Sequence, residues 1–95
     1  MASDEVLLRY EVPVLAPDGT AYRAYARGRE RSDDHLWEAW IEFAPISDTG
    51  AEAVATPRET TQPDHQAAEY WATGLSHVFL EGALVRAFDN AFEKT

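Results

Sequence analysis

Hydrophobic and polar residues alternate along the first half of the chain, which is typical of β-strands with one buried face. In residues 6–14, apolar side chains recur at every second position: Val6, Leu8, Tyr10, Val12 and Val14. Residues 21–29 have one face of Tyr22, Ala24, Ala26 and Gly28 and another of Arg23, Tyr25, Arg27 and Arg29. Residues 36–44 have an apolar face of Trp37, Ala39, Ile41 and Phe43 and an opposite face of Glu38, Trp40 and Glu42. These runs predict three amphipathic strands.

Turn residues separate the predicted strands. The segment Ala16-Pro17-Asp18-Gly19-Thr20 combines a proline that presets φ, an aspartate that bonds its own backbone and a glycine that accepts positive φ. We therefore expect a hairpin between the first two strands. Pro45 ends the third strand, and a loop through Asp48-Thr49-Gly50 leads to a short fourth strand near residues 53–56, which Pro57 ends.

The second half of the chain changes to a helical period. One apolar stripe at helical spacing contains Ala67, Tyr70, Trp71, Gly74 and Leu75, and a second contains Leu84, Val85, Phe88, Ala91 and Phe92. They predict one helix with Gly74 at its C′ position and another over residues 81–92. The link His77-Val78-Phe79-Leu80 fits either an extended strand or one helical turn.

The predicted fold is α+β, a two-layer sandwich in one domain spanning residues 1–95. Its antiparallel meander of three to four strands is covered on one face by the two C-terminal helices. The small residues of the apolar face leave room for large helix side chains. We therefore expect Tyr70, Trp71 and Phe88 to fill that room, with Trp71 buried against the sheet.

Composition excludes several classes of function. The chain has no cysteine, which rules out disulfides, thiolate metal sites and a cysteine nucleophile. Its 17 acidic against 8 basic residues give a net charge of −9, which disfavours nucleic-acid binding. The first residues are acidic, unlike a signal peptide, and no apolar run approaches the ~20 residues of a membrane span. We expect a cytoplasmic protein that needs no cofactor.

The polar segment Arg58 to His65 joins the two halves. Thr60-Thr61-Gln62-Pro63-Asp64 suits a helix start, with Thr61 or Gln62 as the cap, proline in the first turn and Asp64 at the positive end of the helix dipole. Ordinary turn chemistry does not require Arg58 and Glu59. We expect these two charges to be tied to the second helix or to the link before it, and the alternative is a hinge site for a ligand or reaction.

Four segments carry a family resemblance: YRAYARGR, LWEAWIEFAP, TPRETTQPDHQAAEYWATGL and VFLEGALVRAF. Together they resemble a small family of uncharacterised bacterial α+β proteins, over roughly residues 22–88. The family has no established activity, so the resemblance carries no function across. It implies that Arg58, Glu59 and Phe79-Leu80-Glu81-Gly82 do more than cap helices. The element order is also similar, in topology alone, to HicB antitoxin domains if residues 77–80 form a strand.

Candidate catalytic and metal-binding groups are sparse. His77 and Glu81 have the spacing of a ligand pair, but the predicted link interrupts the helix there. Asp33-Asp34-His35 is a polar cluster in a predicted turn, where such side chains are usually solvated. No serine lies in a nucleophile-elbow motif, and no glycine-rich phosphate loop is present. Glu59 forms an acid/base pair only if the fold brings it to Glu69 or Glu81. We therefore expect no catalytic residue and no metal site.

The polar face of the predicted sheet is the main candidate for function. It presents Arg23, Tyr25 and Arg27 beside Glu38, Trp40 and Glu42. The plain interpretation is a solvated ladder of arginine–glutamate pairs around an aromatic contact. Because tyrosine, tryptophan and arginine are enriched at binding hot spots, our first hypothesis for function is a non-enzymatic interaction domain that binds itself, most simply as a homodimer, or a protein partner through this face. An antitoxin-like regulator and a ligand binder at Arg58 and Glu59 are the remaining alternatives.

Overall fold

A computed structural model of the protein describes residues 4–47 and 50–93, with only the backbone of Glu93. The strands are β1 (Glu5–Arg9), β2 (Val14–Leu15), β3 (Ala21–Glu30), β4 (Trp37–Pro45), β5 (Val54–Ala55) and β6 (Thr60–Gln62). The helices are α1 (His65–Thr73) and α2 (His77–Glu93). The N-terminal residues 1–3 and the loop residues Asp48 and Thr49 lie outside the described part, and the predictions made for the N-terminal residues and for Asp48 and Thr49 fall there.

The strands of the described residues form one antiparallel sheet of four rows. The long pair β3 and β4 is the centre, with β1 and β2 both alongside β3 and β5 and β6 both alongside β4. Each outer row is thus a strand interrupted once. The α1 and α2 helices pack on the face that carries the small residues of β3, so the α+β sandwich predicted from the sequence is confirmed.

The first row differs from the single strand predicted over residues 6–14. A register shift lies between Val6, which faces Arg27 across the pair, and Leu8, which faces Ala26. Val6 and Val12 are exposed, against the predicted alternation. Two physical reasons account for the break: the bulge inserts one residue, and Pro13 has no N–H to donate to the ladder.

The bulge brings Leu7 over Gly28. A Cβ atom on Gly28 would lie 2.9 Å from Leu7 Cδ1 and 3.1 Å from the carbonyl oxygen of Glu38. A larger residue at this position of β3 would displace the end of the Leu7 side chain and press on the Glu38 carbonyl, so the close approach of the two neighbouring strands favours glycine.

The predicted hairpin between β2 and β3 is confirmed. Asp18 Oδ1 accepts a hydrogen bond of 2.9 Å from the Thr20 amide, and the Gly19 amide donates to the Ala16 carbonyl at 2.9 Å. Gly19 has a φ of +89°, the left-handed conformation that glycine adopts without strain.

The start of α1 differs from the predicted one. Thr60, Thr61 and Gln62 form β6, paired with β4, so neither Thr61 nor Gln62 is the helix cap. Asp64 is the N-cap, and its side chain accepts a hydrogen bond of 2.8 Å from the Ala67 amide. Threonine favours extended backbone, and the residue before a proline is kept out of the helical region, so the extended conformation continues to Pro63.

The buried face of α1 consists of Ala68 and Ala72 rather than of the predicted aromatic residues. Tyr70 is 80% exposed, which makes the prediction that it fills the space over the sheet wrong. Trp71 is half-buried at the side of the core. The small alanine side chains let α1 approach the sheet closely, and the aromatic rings therefore lie beside the contact. Gly74 is the C-cap with a φ of −87°, not the left-handed C′ residue that was predicted.

The second helix is longer than predicted, because the link of residues 77–80 forms its first turn. Ser76 starts the helix by accepting a hydrogen bond of 3.1 Å at its hydroxyl from the Phe79 amide. The strand that a HicB-like element order would require at residues 77–80 is therefore a helical turn. Phe88 packs its ring edge-on against Tyr22 at a centroid distance of 5.7 Å, as expected for a residue over the sheet.

The core lies between the two helices and the apolar face of the sheet. Its largest fully buried side chains are Val14, Ile41, Phe43 and Leu84. Within the described residues, every buried side-chain nitrogen or oxygen has a hydrogen-bond partner. Neither helix in that part of the chain has the length and apolar character needed to cross a membrane.

Candidate functional site

The face of the sheet opposite the helices, called here the outer face, carries the residues singled out from the sequence. In the β3–β4 register Arg27 faces Trp40, Tyr25 faces Glu42, and Arg29 faces Glu38. Tyr25 and Trp40 are therefore diagonal neighbours rather than a directly opposed pair. The side chains of both rows remain partly exposed.

Ion pairs cross the outer face between the arginine-bearing β3 and the glutamate-bearing β4. Arg27 lies 3.5 Å from Glu42, and Arg29 lies 3.4 Å from Glu38. Arg31 and Arg58 also approach Glu38, each at 3.7 Å. One carboxylate, 17% exposed, thus faces three guanidinium groups, of which that of Arg31 is also paired with Asp34.

Trp40 lies among these charges with its indole partly exposed. The guanidinium carbon of Arg29 is 5.7 Å from the Trp40 ring centroid, a cation–π distance. This contact holds Arg29 against the indole and leaves the arginine side chain half-exposed, at 52%. The centre of the outer face is therefore aromatic, and charged groups surround it.

Arg23 has a different environment from the other outer-face arginines. Its Nη1 donates hydrogen bonds to the carbonyl oxygens of Tyr10, at 3.2 Å, and of Glu11. These carbonyls belong to the break between β1 and β2, where the ladder does not satisfy them. Arg23 therefore stabilises the interrupted first row, a role that the alternation pattern did not suggest.

The side chains of the two hinge residues, Arg58 and Glu59, contact different parts of the molecule. Glu59 is only 11% exposed and accepts two hydrogen bonds from Arg86 of α2, at 2.6 and 3.3 Å. Its expected tie to the second helix is confirmed. Arg58 contradicts the same expectation, because its side chain is 56% exposed and pairs with Glu38 on the outer face.

A bulge between β5 and β6 explains this divergence. Thr56, which is buried, donates its amide to the Ile41 carbonyl at 2.9 Å and accepts from the Ile41 amide at its hydroxyl oxygen at 3.0 Å. Pairing with β4 resumes when the Glu59 amide donates to the Ala39 carbonyl at 2.8 Å. Pro57 and Arg58 lie between these two attachments and project from the sheet.

A cleft of about 350 Å³ opens beside this bulge. Arg29, Trp40 and Arg58 line it from the outer face, and Asn90 lines it from α2. The Asn90 side chain donates to the Ala55 carbonyl at 3.0 Å, which fixes α2 at the edge of the cleft. Glu59 is not part of its lining, so the two hinge residues do not share one pocket.

The candidate acid/base pairs from the sequence are not brought together. Glu59 is held by Arg86, whereas Glu69 lies 3.3 Å from His65 and Glu81 lies 3.9 Å from His77. Each carboxylate thus has its own cationic or imidazole partner on a separate part of the surface. The acid/base pairs predicted between Glu59 and Glu69 or Glu81 are therefore not formed.

His65, which the sequence did not single out, connects three elements. Its Nε2 lies 2.7 Å from Glu5 of β1, its Nδ1 lies 3.3 Å from Glu69 of α1, and its ring packs edge-on against Trp37 of β4 at 4.7 Å. The hydrogen bond with Glu5 raises the pKa of His65 above its ordinary value, and the nearby carboxylates act in the same direction. No group of three histidine, aspartate or glutamate side chains able to hold a metal ion occurs in residues 4–47 and 50–93.

Comparisons with protein-family models, with curated proteins and with solved structures find no match for this chain. The family resemblance drawn from the sequence motifs therefore stays a prediction. Functional inference for this chain rests on its own geometry.

Proposed function

We propose that this protein is a non-enzymatic interaction domain that associates with a second copy of itself through the outer face. The observation that supports the proposal is the β3–β4 register. It sets an arginine row beside a glutamate row, with Trp40 and Tyr25 at the centre. Aromatic residues ringed by charged side chains have the composition of binding hot spots.

The two rows are complementary to themselves under a two-fold rotation. If the axis runs parallel to the strands, midway between β3 and β4, it sets β3 of one copy over β4 of the other. Since Arg29 and Glu38 face each other within one sheet, Arg29 then lies over Glu38 of the second copy. By the same operation, Arg27 lies over Trp40 of the second copy, a cation–π pair. Both contacts occur twice, as in an isologous dimer.

The association is expected to be weak to moderate. In the Arg29–Glu38 pair the arginine is half-exposed, and salt at physiological concentration screens such a pair. Burial of the Trp40 indole and of Tyr25 supplies most of the affinity, while the charge rows fix orientation and choice of partner. Two copies that each carry a net charge of −9 also repel at long range, which limits the strength of the dimer.

A charge-swap experiment tests this geometry. In Arg29→Glu the predicted contacts become glutamate against glutamate, and in Glu38→Arg they become arginine against arginine. Each variant alone is expected to be monomeric by sedimentation velocity at low salt. An equimolar mixture restores both contacts and is expected to form a heterodimer.

The matched control reverses a charge on α2, which packs against the opposite face of the sheet. Glu81→Arg alters an exposed glutamate that lies 3.9 Å from His77 of the same helix. It keeps the wild-type outer face, so a mixture with Arg29→Glu has one matched contact and one clash and is expected to give less heterodimer than the charge-swap mixture. Failure of the first mixture to associate, with both variants folded by circular dichroism, contradicts the two-fold geometry.

The cellular setting remains part of the proposal. The chain has 17 acidic and 8 basic residues, and this acidic balance supports a protein partner rather than nucleic acid. The cytoplasmic location and the bacterial family expected from the sequence are proposed on the same footing. If wild type is monomeric but a distinct acidic protein binds the outer face, the domain is a partner-binding rather than a self-associating one.

A further inference from the structure

The geometry points to a second site: the cleft beside Arg58 binds a small carboxylate attached to an aromatic ring. The cleft forms within one chain, from β3, β4, the bulge after β5 and α2. The inference therefore does not rest on self-association, although Arg29, Glu38 and Trp40 line the cleft and also belong to the two-fold contact. A bound ligand and a second copy compete for these three residues, whereas Arg58 serves the ligand alone.

The long contacts between Glu38 and the two cleft arginines, Arg29 and Arg58, are the first support. Both Nε and Nη2 of Arg29 reach Glu38 at 3.4 Å, and Nη1 of Arg58 reaches it at 3.7 Å. Charge-assisted hydrogen bonds are normally about 2.7–2.9 Å long, and a guanidinium has five N–H donors. Glu38 is thus an incomplete partner for the arginines, and an incoming carboxylate can make shorter, two-pronged contacts with them.

The charge distribution is the second support. Arg29 and Arg58 outnumber the single carboxylate Glu38 in the cleft, although the whole chain carries a net charge of −9. A local positive group in a concave surface attracts small anions. Burial of part of the site strengthens that attraction relative to open solvent.

The shape of the cleft selects the rest of the ligand. Its volume of about 350 Å³ is at the small end of ligand pockets, so it suits a single ring with one acid group. The partly exposed indole of Trp40 offers an apolar wall for that ring, and Arg58 on the bulge lies at the mouth. A carboxylate at Arg58 with its ring against Trp40 uses both features.

Benzoate is the appropriate probe, with acetate and benzyl alcohol as partial ligands. Binding is followed by NMR on the indole N–H signal of Trp40, assigned among the three tryptophans with Trp40→Phe. Saturable shifts are expected with benzoate, at least about tenfold weaker binding with either partial ligand, and weaker binding as salt rises. A blocked Phe-Glu dipeptide distinguishes the source: tighter binding than benzoate indicates a peptide, and weaker binding indicates a free small molecule.

Three variants make the test specific. Arg58→Gln is expected to weaken benzoate binding about tenfold or more. Arg9→Gln, with the same change of charge on a remote exposed arginine, is expected to leave it within about twofold. Glu38→Gln removes the carboxylate that competes inside the cleft and is expected to tighten binding several-fold.

The signs of these effects decide the matter. Absence of saturation, equal weakening by Arg58→Gln and Arg9→Gln, or unchanged or weaker binding in Glu38→Gln each overturns the proposal. Sedimentation of the same samples keeps the two proposals separate. Arg58→Gln is expected to retain the association of wild type while losing benzoate, because Arg58 lies outside the two-fold contact.

Discussion

Arg86 of α2 donates two hydrogen bonds, of 2.6 and 3.3 Å, to the carboxylate of Glu59 in the bulge before β6. The guanidinium carbon of Arg86 also lies 5.1 Å from the ring centroid of Phe79, which is two turns earlier on the same face of α2. This pair joins the second helix to the edge of the sheet and fixes the bulge from which Arg58 projects. Glu59 and Arg86 thus pair with each other, whereas the Arg58 side chain is 56% exposed.

Arg86→Ala is expected to lower the free energy of unfolding by about 2 kcal/mol, because it leaves the poorly exposed Glu59 carboxylate without its partner. Glu59→Gln is expected to cost less, since the remaining Arg86 is half-exposed and solvated. Urea denaturation measures both. Arg9→Ala is the control and is expected to stay within about 0.5 kcal/mol of wild type. Equal effects of Arg86→Ala and Arg9→Ala would show that the pair does not hold the helix.

Tyr10 provides a second link between sheet and helix. Its hydroxyl donates a hydrogen bond of 2.6 Å to the Ala72 carbonyl at the end of α1, and burial raises the pKa of Tyr10 to about 12. Tyr10→Phe is expected to cost about 1 kcal/mol at pH 7.

The pH dependence of Tyr10 has a definite sign. Its folded-state pKa exceeds the ordinary value of about 10, so the folded state prefers the neutral phenol. The stability from Tyr10 is complete below pH ~10 and is lost as pH rises from about 10 towards about 12. The fall in unfolding free energy between pH 9 and pH ~11 should be smaller in Tyr10→Phe than in wild type. An identical fall in both proteins would contradict the buried position of the phenol.

His65 makes the stability of the fold depend on pH in a lower range, between about pH 5 and 8. The hydrogen bond with Glu5 raises the pKa of His65 in the folded state, so folding favours the protonated imidazole. The resulting stability is complete below the unfolded pKa of about 6.5 and is lost as pH rises through the folded pKa. Glu5→Gln removes the largest cause of the raised pKa. Melting curves from pH 5 to 8 are expected to show a smaller loss of stability in this variant, and a loss equal to that of wild type would count against the contact.

The two aromatic residues of α1 make a matched pair. Trp71 packs against the core and is half-buried, whereas Tyr70 is 80% exposed. Trp71→Ala is expected to cost about 2 to 3 kcal/mol, less than for a fully buried tryptophan. Tyr70→Ala is expected to change stability by no more than about 0.5 kcal/mol. Comparable losses from the two substitutions would mean that α1 is rotated relative to the described packing.

Periodicity predicted the architecture well where side chains alternate without interruption. The faces of β3 and β4, the hairpin at Gly19 and the two-helix layer all follow from the spacing of residues and from turn chemistry. Periodicity did not predict the bulge at Leu7, which inserts one residue, or the bulge after Thr56, which inserts two. Such insertions shift a strand without changing its composition, so the alternation pattern contains no signal for them.

The helices show a second limit of pattern analysis. On α1 the buried stripe is Ala68 and Ala72, because small residues let the helix approach the sheet, whereas hydrophobicity alone favoured Tyr70. The candidate site, too, could be predicted only in part from the sequence. The outer-face residues followed from alternation, but the opposite directions of Arg58 and Glu59 depend on the bulge and on α2, which are long-range contacts.

Sedimentation velocity across concentration, on wild type, Trp40→Ala and Tyr70→Ala, tests the proposed association most directly. Trp40 is at the centre of the outer face, and Tyr70 is an exposed aromatic residue on α1, which packs against the other face of the sheet. Wild type and Tyr70→Ala are expected to shift with concentration from 10.6 kDa to twice that mass, with a Kd of about 1 to 100 μM. Trp40→Ala is expected to remain at 10.6 kDa at every concentration. A wild type that stays monomeric, or a dimer that persists unchanged in Trp40→Ala, would contradict self-association through this face.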